Sequence, residues 1–333
     1  MRDFDYKLVI RNRFKRLGKR WKLALGFVIF LFILSNALAF MHARAMTHFG
    51  PRGPQPLRPQ DMSVSQKLRT LCIGVRIPRP TNAFTPDKYD LPFETHHLLS
   101  TDGVNLEAWH IPRENSRGLI LLFHGYQNCK AGELREAKVF HDLGFETMLI
   151  DFHGSGGSSG NETTVGYREA DDVAAAVTFA RDTFHPARLV LYGQSMGSAA
   201  ILRAMSMDDL KPDAIIVECP YDRLLDTVAN RFTSMGLPSF PCARMLLFWG
   251  SVQEGYWAFG MNPVDYASHV SCPALYFRGA DDPWVTKSEA GAVFERVTGP
   301  KTLIEIEHAG HEGCFPRGPE EWTAAVKTFL GER

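Results

Sequence analysis

The stretch RLVLYGQSMGSAAILRA, residues 188 to 204, constrains the fold more than any other part of the chain. Arg188 to Tyr192 have strand character and run without a break into Gly193. A serine follows two residues on, and then the small residues Gly197, Ser198, Ala199 and Ala200 open a segment with helical patterning. A strand that ends at the first glycine of G-x-S-x-G, with a helix that starts at its serine, leaves room only for a sharp turn. That turn lifts the hydroxyl above the edge of a sheet and aims a helix amino terminus at it. The same pattern recurs as GGSSG at 156 to 160, but there the preceding strand has ended near Asp151 and no helical pattern begins at once. Ser158 therefore reads as part of a flexible Gly/Ser loop, and Ser195 as the candidate nucleophile.

The segments around this turn alternate. ETHHLLST and VNLEAWHIP read as two strands around a turn at Asp102 and Gly103, and GLILLFHG as a strand buried on both faces. Then come a helix at 132 to 143, the strand ETMLIDF, a helix at 165 to 184, the strand and helix of the turn itself, and the strand DAIIVEC. PALYFRG, TKSEAGAVFERV, TLIEIEH and a last helix at 319 to 330 complete the series. Such alternation predicts a mostly parallel sheet with helices on both faces, and places ligands at the carboxyl ends of its strands.

A serine hydroxyl is a weak nucleophile at neutral pH and needs a base, which in turn needs an orienting acid; in this kind of fold the chain order is Ser, acid, His. FRGADDPWV supplies Asp282, preferred over Asp281 because it precedes Pro283, which forces extended backbone. EHAGHEG supplies His311, in the loop beyond the last strand, where His308 ends that strand. Asp222 is the reserve acid. Oxyanion donors are expected from the backbone N–H groups of Met196, after the nucleophile, and Tyr126, in HGYQN after an earlier strand. His124 is expected to shape that loop.

In detail the chain resembles the serine α/β-hydrolases, specifically the BEM46-like, serine aminopeptidase S33-type hydrolases. TPDKYDLPFE, STDGVNLEAW, HGYQNCK, DFHGSGGSSG, GQSMG, CPYDRL, NPVDYASHVSCPALYFRGADDPWV and HAGH carry the likeness across about residues 79 to 330. It implies an α/β-hydrolase fold with a small helical cap at about 221 to 262, and hydrolysis of esters, thioesters or amides. His153 departs from the pattern, since similar proteins carry arginine there; the expected effect is on loop packing rather than chemistry. The cap segment is rich in aromatic and aliphatic residues and poor in carboxylates, Glu254 being the most obvious. Carboxylic or lipid esters therefore rank ahead of acyl thioesters, and both ahead of the aminopeptidase-type amide hydrolysis that would need an anion to hold a substrate ammonium. A catalytically inactive binding module on the same fold is the reading from another class.

Ahead of this lies a different kind of sequence. Nine of the first 22 residues are Lys or Arg, and residues 23 to 41 carry no charge. As a helix that run spans roughly 28 Å, about the thickness of a bilayer core. Residues 1–22 read as a basic cytoplasmic leader and 23–41 as a transmembrane signal anchor, which places the catalytic domain on the extracytoplasmic side. Cleavage after Ala37-Leu38-Ala39 and release is the alternative. Residues 42–78 read as a Pro-rich linker and entry segment, and 79–333 as the hydrolase domain, so no site residue is expected to depend on what precedes it. Thirty-seven basic and 37 acidic residues cancel, which gives no reason to expect a nucleic-acid partner. No metal or cofactor motif is found, and the spacing of six cysteines does not assign a pairing.

Overall fold

A computed structural model describes residues 18–51, 53, 62–207 and 209–331. The apolar run Leu119–Phe123 (β3) lies mid-sheet, fully buried, because a strand covered by helices on both faces has no polar side to show. The sheet has eight strands in the order β1-β2-β4-β3-β5-β6-β7-β8. β1 (Glu94–Leu99) and β2 (Asn105–Ile111) form an antiparallel edge joined through a 3-10 turn, and β2 runs antiparallel to β4 (Glu146–Ile150). From β4 through β3, β5 (Leu189–Gln194), β6 (Ala214–Glu218), β7 (Ala274–Gly279) and β8 (Lys301–Ile306) the pairing is parallel. The expected α/β-hydrolase architecture is thus present.

The helices, in chain order, are α1 (Lys19–Thr47), α2 (Val64–Ile73), α3 (Leu134–Asp142), α4 (Glu169–Phe184), α5 (Met196–Met207), α6 (Leu224–Ser234), α7 (Cys242–Glu254), the single turn α8 (Pro263–Tyr266), α9 (Lys287–Arg296) and α10 (Pro319–Leu330). One face of the sheet packs α4, α5 and α9 through Val173, Ala200 and Val293; the other packs α3 and α10 through Phe140, Trp322 and Val326. α6 and α7 are inserted between β6 and β7 and form a third cluster around Leu224, Leu247 and Met261. This is the cap.

α1 does not end with the apolar run. HARAMT contains no helix breaker, so the helix continues to Thr47 and stops where His48 turns extended. Its amino-terminal half stands clear of the protein, with an 18-residue window of mean hydropathy 2.5 and none of it buried. From Asn36 onward it lies along α7. Trp249 Nε1 donates to Asn36 Oδ1 at 3.1 Å, Gln253 Nε2 donates to the Phe40 carbonyl at 2.8 Å, and the Phe40 and Trp249 rings meet edge to face at 5.3 Å. Beyond it Phe49 is buried, and His48 and Gly50 form bridges to Glu162 and Pro78. The stretch expected to be linker is therefore fastened to the hydrolase domain on both sides of its proline-rich part. That part, residues 54–61, and the first 17 residues of the leader lie outside the described residues.

Candidate active site

β5 ends at the turn expected of it. Ser195 has φ of 49°, a left-handed conformation that a non-glycine residue adopts only under local constraint. Glycine is required on either side by close approach: a Cβ on Gly193 would lie 2.7 Å from the carbonyl carbon of Gly197, and one on Gly197 would lie 2.2 Å from the Phe123 oxygen. The Ser195 N–H donates to the Glu218 carbonyl at 2.8 Å, which ties the turn to β6.

Ser195 Oγ lies 2.7 Å from His311 Nε2, and His311 Nδ1 lies 2.7 Å from Asp282 Oδ2. The other oxygen of Asp282 accepts the N–H groups of Trp284 at 2.8 Å and Val285 at 3.0 Å. Burial alone would raise the Asp282 pKa; the His311 hydrogen bond and charge and these two N–H groups outweigh it and hold it below the usual value. An ionised Asp282 fixes the imidazole with a proton on Nδ1, which leaves Nε2 free to accept from the serine hydroxyl.

The competing residues go elsewhere. Asp281 and His308 face each other at 3.7 Å, both well exposed, and His308 lies in a left-handed turn past the end of β8 instead of closing the strand. Asp222 is buried, accepts the Arg223 N–H at 2.6 Å, and has its pKa raised to about 6, by burial first. His124 is fully buried; its Nδ1–H donates to the Gly125 carbonyl at 2.8 Å and its Nε2 accepts from the Phe152 N–H at 3.1 Å. Burial lowers its pKa, so it stays neutral and shapes the loop.

Ser158 is not in a loose loop. Its Oγ donates to the Asp151 carbonyl at 2.6 Å and accepts from the Glu107 N–H at 2.9 Å, and the Arg79 guanidinium gathers the carbonyls of Ser155, Gly156, Ser158 and Gly160. The glycines give the turns, and an arginine 76 or more residues away in sequence pins them. His153 also has a definite role. Burial would lower its pKa, but the charge of Glu169 and a 2.7 Å bond to Asp172 raise it to about 9, so a cation stands where arginine is usual.

Gly125 brings the loop after β3 against the elbow: a Cβ there would lie 3.7 Å from the Ser195 Cβ. Tyr126 and Met196 flank the serine from two sides, and Met196, first in its helix, has no partner for its N–H within that helix. The Tyr126 hydroxyl donates to the Met46 carbonyl at 2.6 Å. This contact leads to the largest departure from expectation. Ser195 and His311 open into a cavity, and Ala43, Met46 and Thr47 at the end of α1 form part of its wall. Cap residues such as Leu246, Leu247 and Gly250 form another part. Nothing in residues 42–47 signals this, because the contact is made across 80 residues of chain. Arg231 in the same wall was also missed, although Leu224, Thr227, Val228 and Arg231 have the spacing of one helix face.

Two other clusters, Glu94–His96–His110 and His48–Glu162–Glu254, each bring three ligand-type atoms within 4.8 Å of one another. The second joins the end of α1 to α7 through His48–Glu254 and His48–Glu162 contacts of 3.2 Å each. All six cysteines are unpaired, with Cys219 and Cys314 closest at 3.9 Å between sulfurs.

Comparison with known proteins agrees with this architecture. The family model for serine aminopeptidase, S33, matches residues 114–241. The uncharacterised protein YqkD of Bacillus subtilis is 26% identical over 236 residues, covering 70% of this chain and 77% of its own. The lysophosphatidylserine lipase ABHD12 of Danio rerio is 23% identical over 239 residues, covering 62% and 59%. Protein bem46 of Schizosaccharomyces pombe is 24% identical over 155 residues, covering 45% and 52%. Among solved structures, the Pyrococcus furiosus esterase Pf2001 superposes with a TM-score of 0.63 at 24% identity, over 76% of this chain and 97% of that one. With its elbow, its sheet order and these relatives in hand, the chain is an α/β-hydrolase by fold and is similar to the BEM46-like, S33-type hydrolases.

Proposed function

We propose that the protein is a membrane-anchored serine hydrolase that cleaves carboxylic esters, with lipid or long acyl esters as its natural class. The observation that carries the second part is the cavity wall: the helix long and apolar enough to cross a bilayer ends beside Ser195. Around the cap, Phe240, Phe248, Val252 and Trp257 are exposed, which suits contact with an apolar phase. The aminopeptidase-type alternative is disfavoured because Glu254, the obvious cap carboxylate, is buried beside His48 and is not among the residues that line the cavity.

In this reading Ser195 Oγ attacks the ester carbonyl while His311 Nε2 takes the hydroxyl proton and Asp282 stabilises the resulting imidazolium. The oxyanion of the tetrahedral intermediate is held by the N–H groups of Met196 and Tyr126. Its collapse breaks the bond to the alcohol, which leaves with the proton from His311. Water, deprotonated by His311 in turn, then hydrolyses the acyl-enzyme and releases the acid. The basic leader would stay in the cytoplasm and the hydrolase domain would lie on the other side.

The test compares the full chain with a variant lacking residues 1–61. Both should label with a fluorophosphonate, but the truncated enzyme loses the Ala43–Thr47 wall. Its kcat/KM should fall about tenfold more for long-chain than for short-chain p-nitrophenyl esters, the equivalent of two or so methylene groups left in water. Equal loss at all chain lengths would remove the case for an acyl site at the membrane helix, and absence of labelling would remove the serine mechanism.

A further inference from the structure

Arg231 lines the same cavity as Ser195 and His311, and among the described residues its side chain has ring contacts but no hydrogen-bond acceptor. Its Nε is closed off from solvent with no acceptor, and among the described residues no carboxylate forms an ion pair with its guanidinium. The other polar groups of the wall are all satisfied by backbone carbonyls: Thr47 by Ala43, Tyr126 by Met46, Tyr221 by Val165, Thr227 by Trp284 and Tyr256 by Thr164. Nearby carboxylates are already committed. Asp282 serves His311, Trp284 and Val285, and Glu289 accepts from Asn230 and from the Thr286 N–H.

What holds the side chain is cation–π contact, with the Trp284 ring and, at 5.7 Å, the Tyr126 ring. The guanidinium lies 4.3 Å from the centre of the Trp284 ring, and that ring lies 4.9 Å from His311, so Arg231 sits one indole away from the imidazole. A cation–π contact uses no N–H donor as a hydrogen bond, so the guanidinium keeps donors available for an acceptor. A charge withdrawn from water without a counter-ion is costly, and Arg231 lines the cavity that also holds Ser195.

We propose that Arg231 is a specificity-determining residue that binds an oxyanion, carboxylate or phosphate, carried by the ester substrate about one indole's width from the scissile carbonyl. This rests on the reading of Ser195 as the nucleophile. It narrows the substrate class to amphiphilic esters with a negative group close to the ester bond. Neutral esters of the same chain length then lack a charge-assisted contact that the site is built to make.

The experiment has two carboxylate-and-phosphate arms and one arm that needs no turnover. Mono-p-nitrophenyl glutarate is compared with p-nitrophenyl butyrate, and decanoylglycerol phosphate with decanoylglycerol, using the full chain and its Arg231→Gln and Arg231→Lys variants. In at least one pair Arg231→Gln should lower the anionic-to-neutral ratio of kcat/KM by about ten- to hundredfold, with Arg231→Lys between it and the native enzyme. The pair that responds identifies the anion. Separately, binding of decyl phosphate, decanoate and decanol to Ser195→Ala, followed by tryptophan fluorescence, should favour an anion, and adding Arg231→Gln should abolish that preference. An unchanged ratio in both pairs, or equal losses on anionic and neutral esters, would reduce Arg231 to a packing role and overturn the proposal. Anion-selective binding without hydrolysis of any ester would leave Arg231 standing and defeat the hydrolase reading instead; hydrolysis without anion selectivity would do the reverse.

Discussion

Ser195 and Ser158 occupy the middle of the same five-residue pattern, and both lie beside the carboxyl end of a strand. Their surroundings differ in every other respect. Ser195 is in a left-handed conformation between β5 and α5 with its hydroxyl on His311, whereas the Ser158 hydroxyl is shared between the Asp151 carbonyl and the Glu107 N–H. A buried serine whose two hydrogen bonds both go to backbone has no base to take its proton and no access. Reactivity thus belongs to the elements on either side of the pattern, not to the pattern.

The sharpest way to break this comparison is to delete each hydroxyl. Ser195→Ala should lower kcat for a short p-nitrophenyl ester by about 10⁴-fold or more. Ser158→Ala should instead lower Tm, by removing a buried donor and acceptor worth about 1–3 kcal/mol, while the folded enzyme keeps its turnover within a few-fold. A dead Ser158→Ala that remains folded would reverse the assignment.

Next in size, Asp282→Asn and His311→Gln should each cost about 10³-fold or more, and the double variant little beyond the worse single one, since parts of one relay fail together. Losses that multiply would mean that the two act separately. No such coupling is expected with Asp281→Asn or His308→Gln, the exposed neighbouring pair.

A smaller effect isolates the second loop. Arg79→Ala removes the donor that collects four carbonyls around Ser158 and should lower stability by about 2–4 kcal/mol, read as a fall in Tm, with kcat for short esters unchanged within about twofold. If kcat fell with Ser195 chemistry while Tm held, the loop at 155–160 would have to be part of the site.

The smallest expected effect separates the two regions by pH. Under the elbow, burial first and then the charge of Glu218 raise the Glu136 pKa from 4.5 to about 8. Beside Ser158, Asp151 is held below its usual 3.8: burial opposes this, but the charge and hydrogen bonds of the buried Lys130 outweigh it. The signs are opposite. A raised acid stabilises the fold at low pH and loses that contribution as pH climbs from 4.5 to about 8; a lowered acid stabilises above 3.8 and loses its contribution as pH falls beneath it. Glu136→Gln should therefore gain stability over the native chain at pH 8 and little at pH 5, in denaturant melts at both values. A gain of the same size at both would show that Glu136 titrates normally.

Much of this was readable before any coordinates. The near-continuous apolar runs at 119–123 and 189–192 could be satisfied only as buried strands, and Gly193 and Gly197 flank a serine that has a helix directly behind it. The loops carrying Asp282 and His311 follow strands in the order that the elbow requires, and the structure brings their side chains within 2.7 Å of each other. The charge-free run was equally plain as a helix, but its end was not, because helix termination depends on what the last turns pack against.

Sequence alone thus determined the alternation, the order of the chemical groups and the identity of the elbow serine candidate, since each follows from periodicity and spacing within short stretches. Tertiary structure decided what surrounds that serine. Met46 reaches the cavity because α1 lies along α7, Arg231 has no counter-ion among the described residues because Asp282 and Glu289 are turned to other donors, and the Ser158 hydroxyl is taken up by the Asp151 carbonyl and the Glu107 N–H. These are contacts between segments distant along the chain, and they depend on how whole elements pack, which no local pattern encodes.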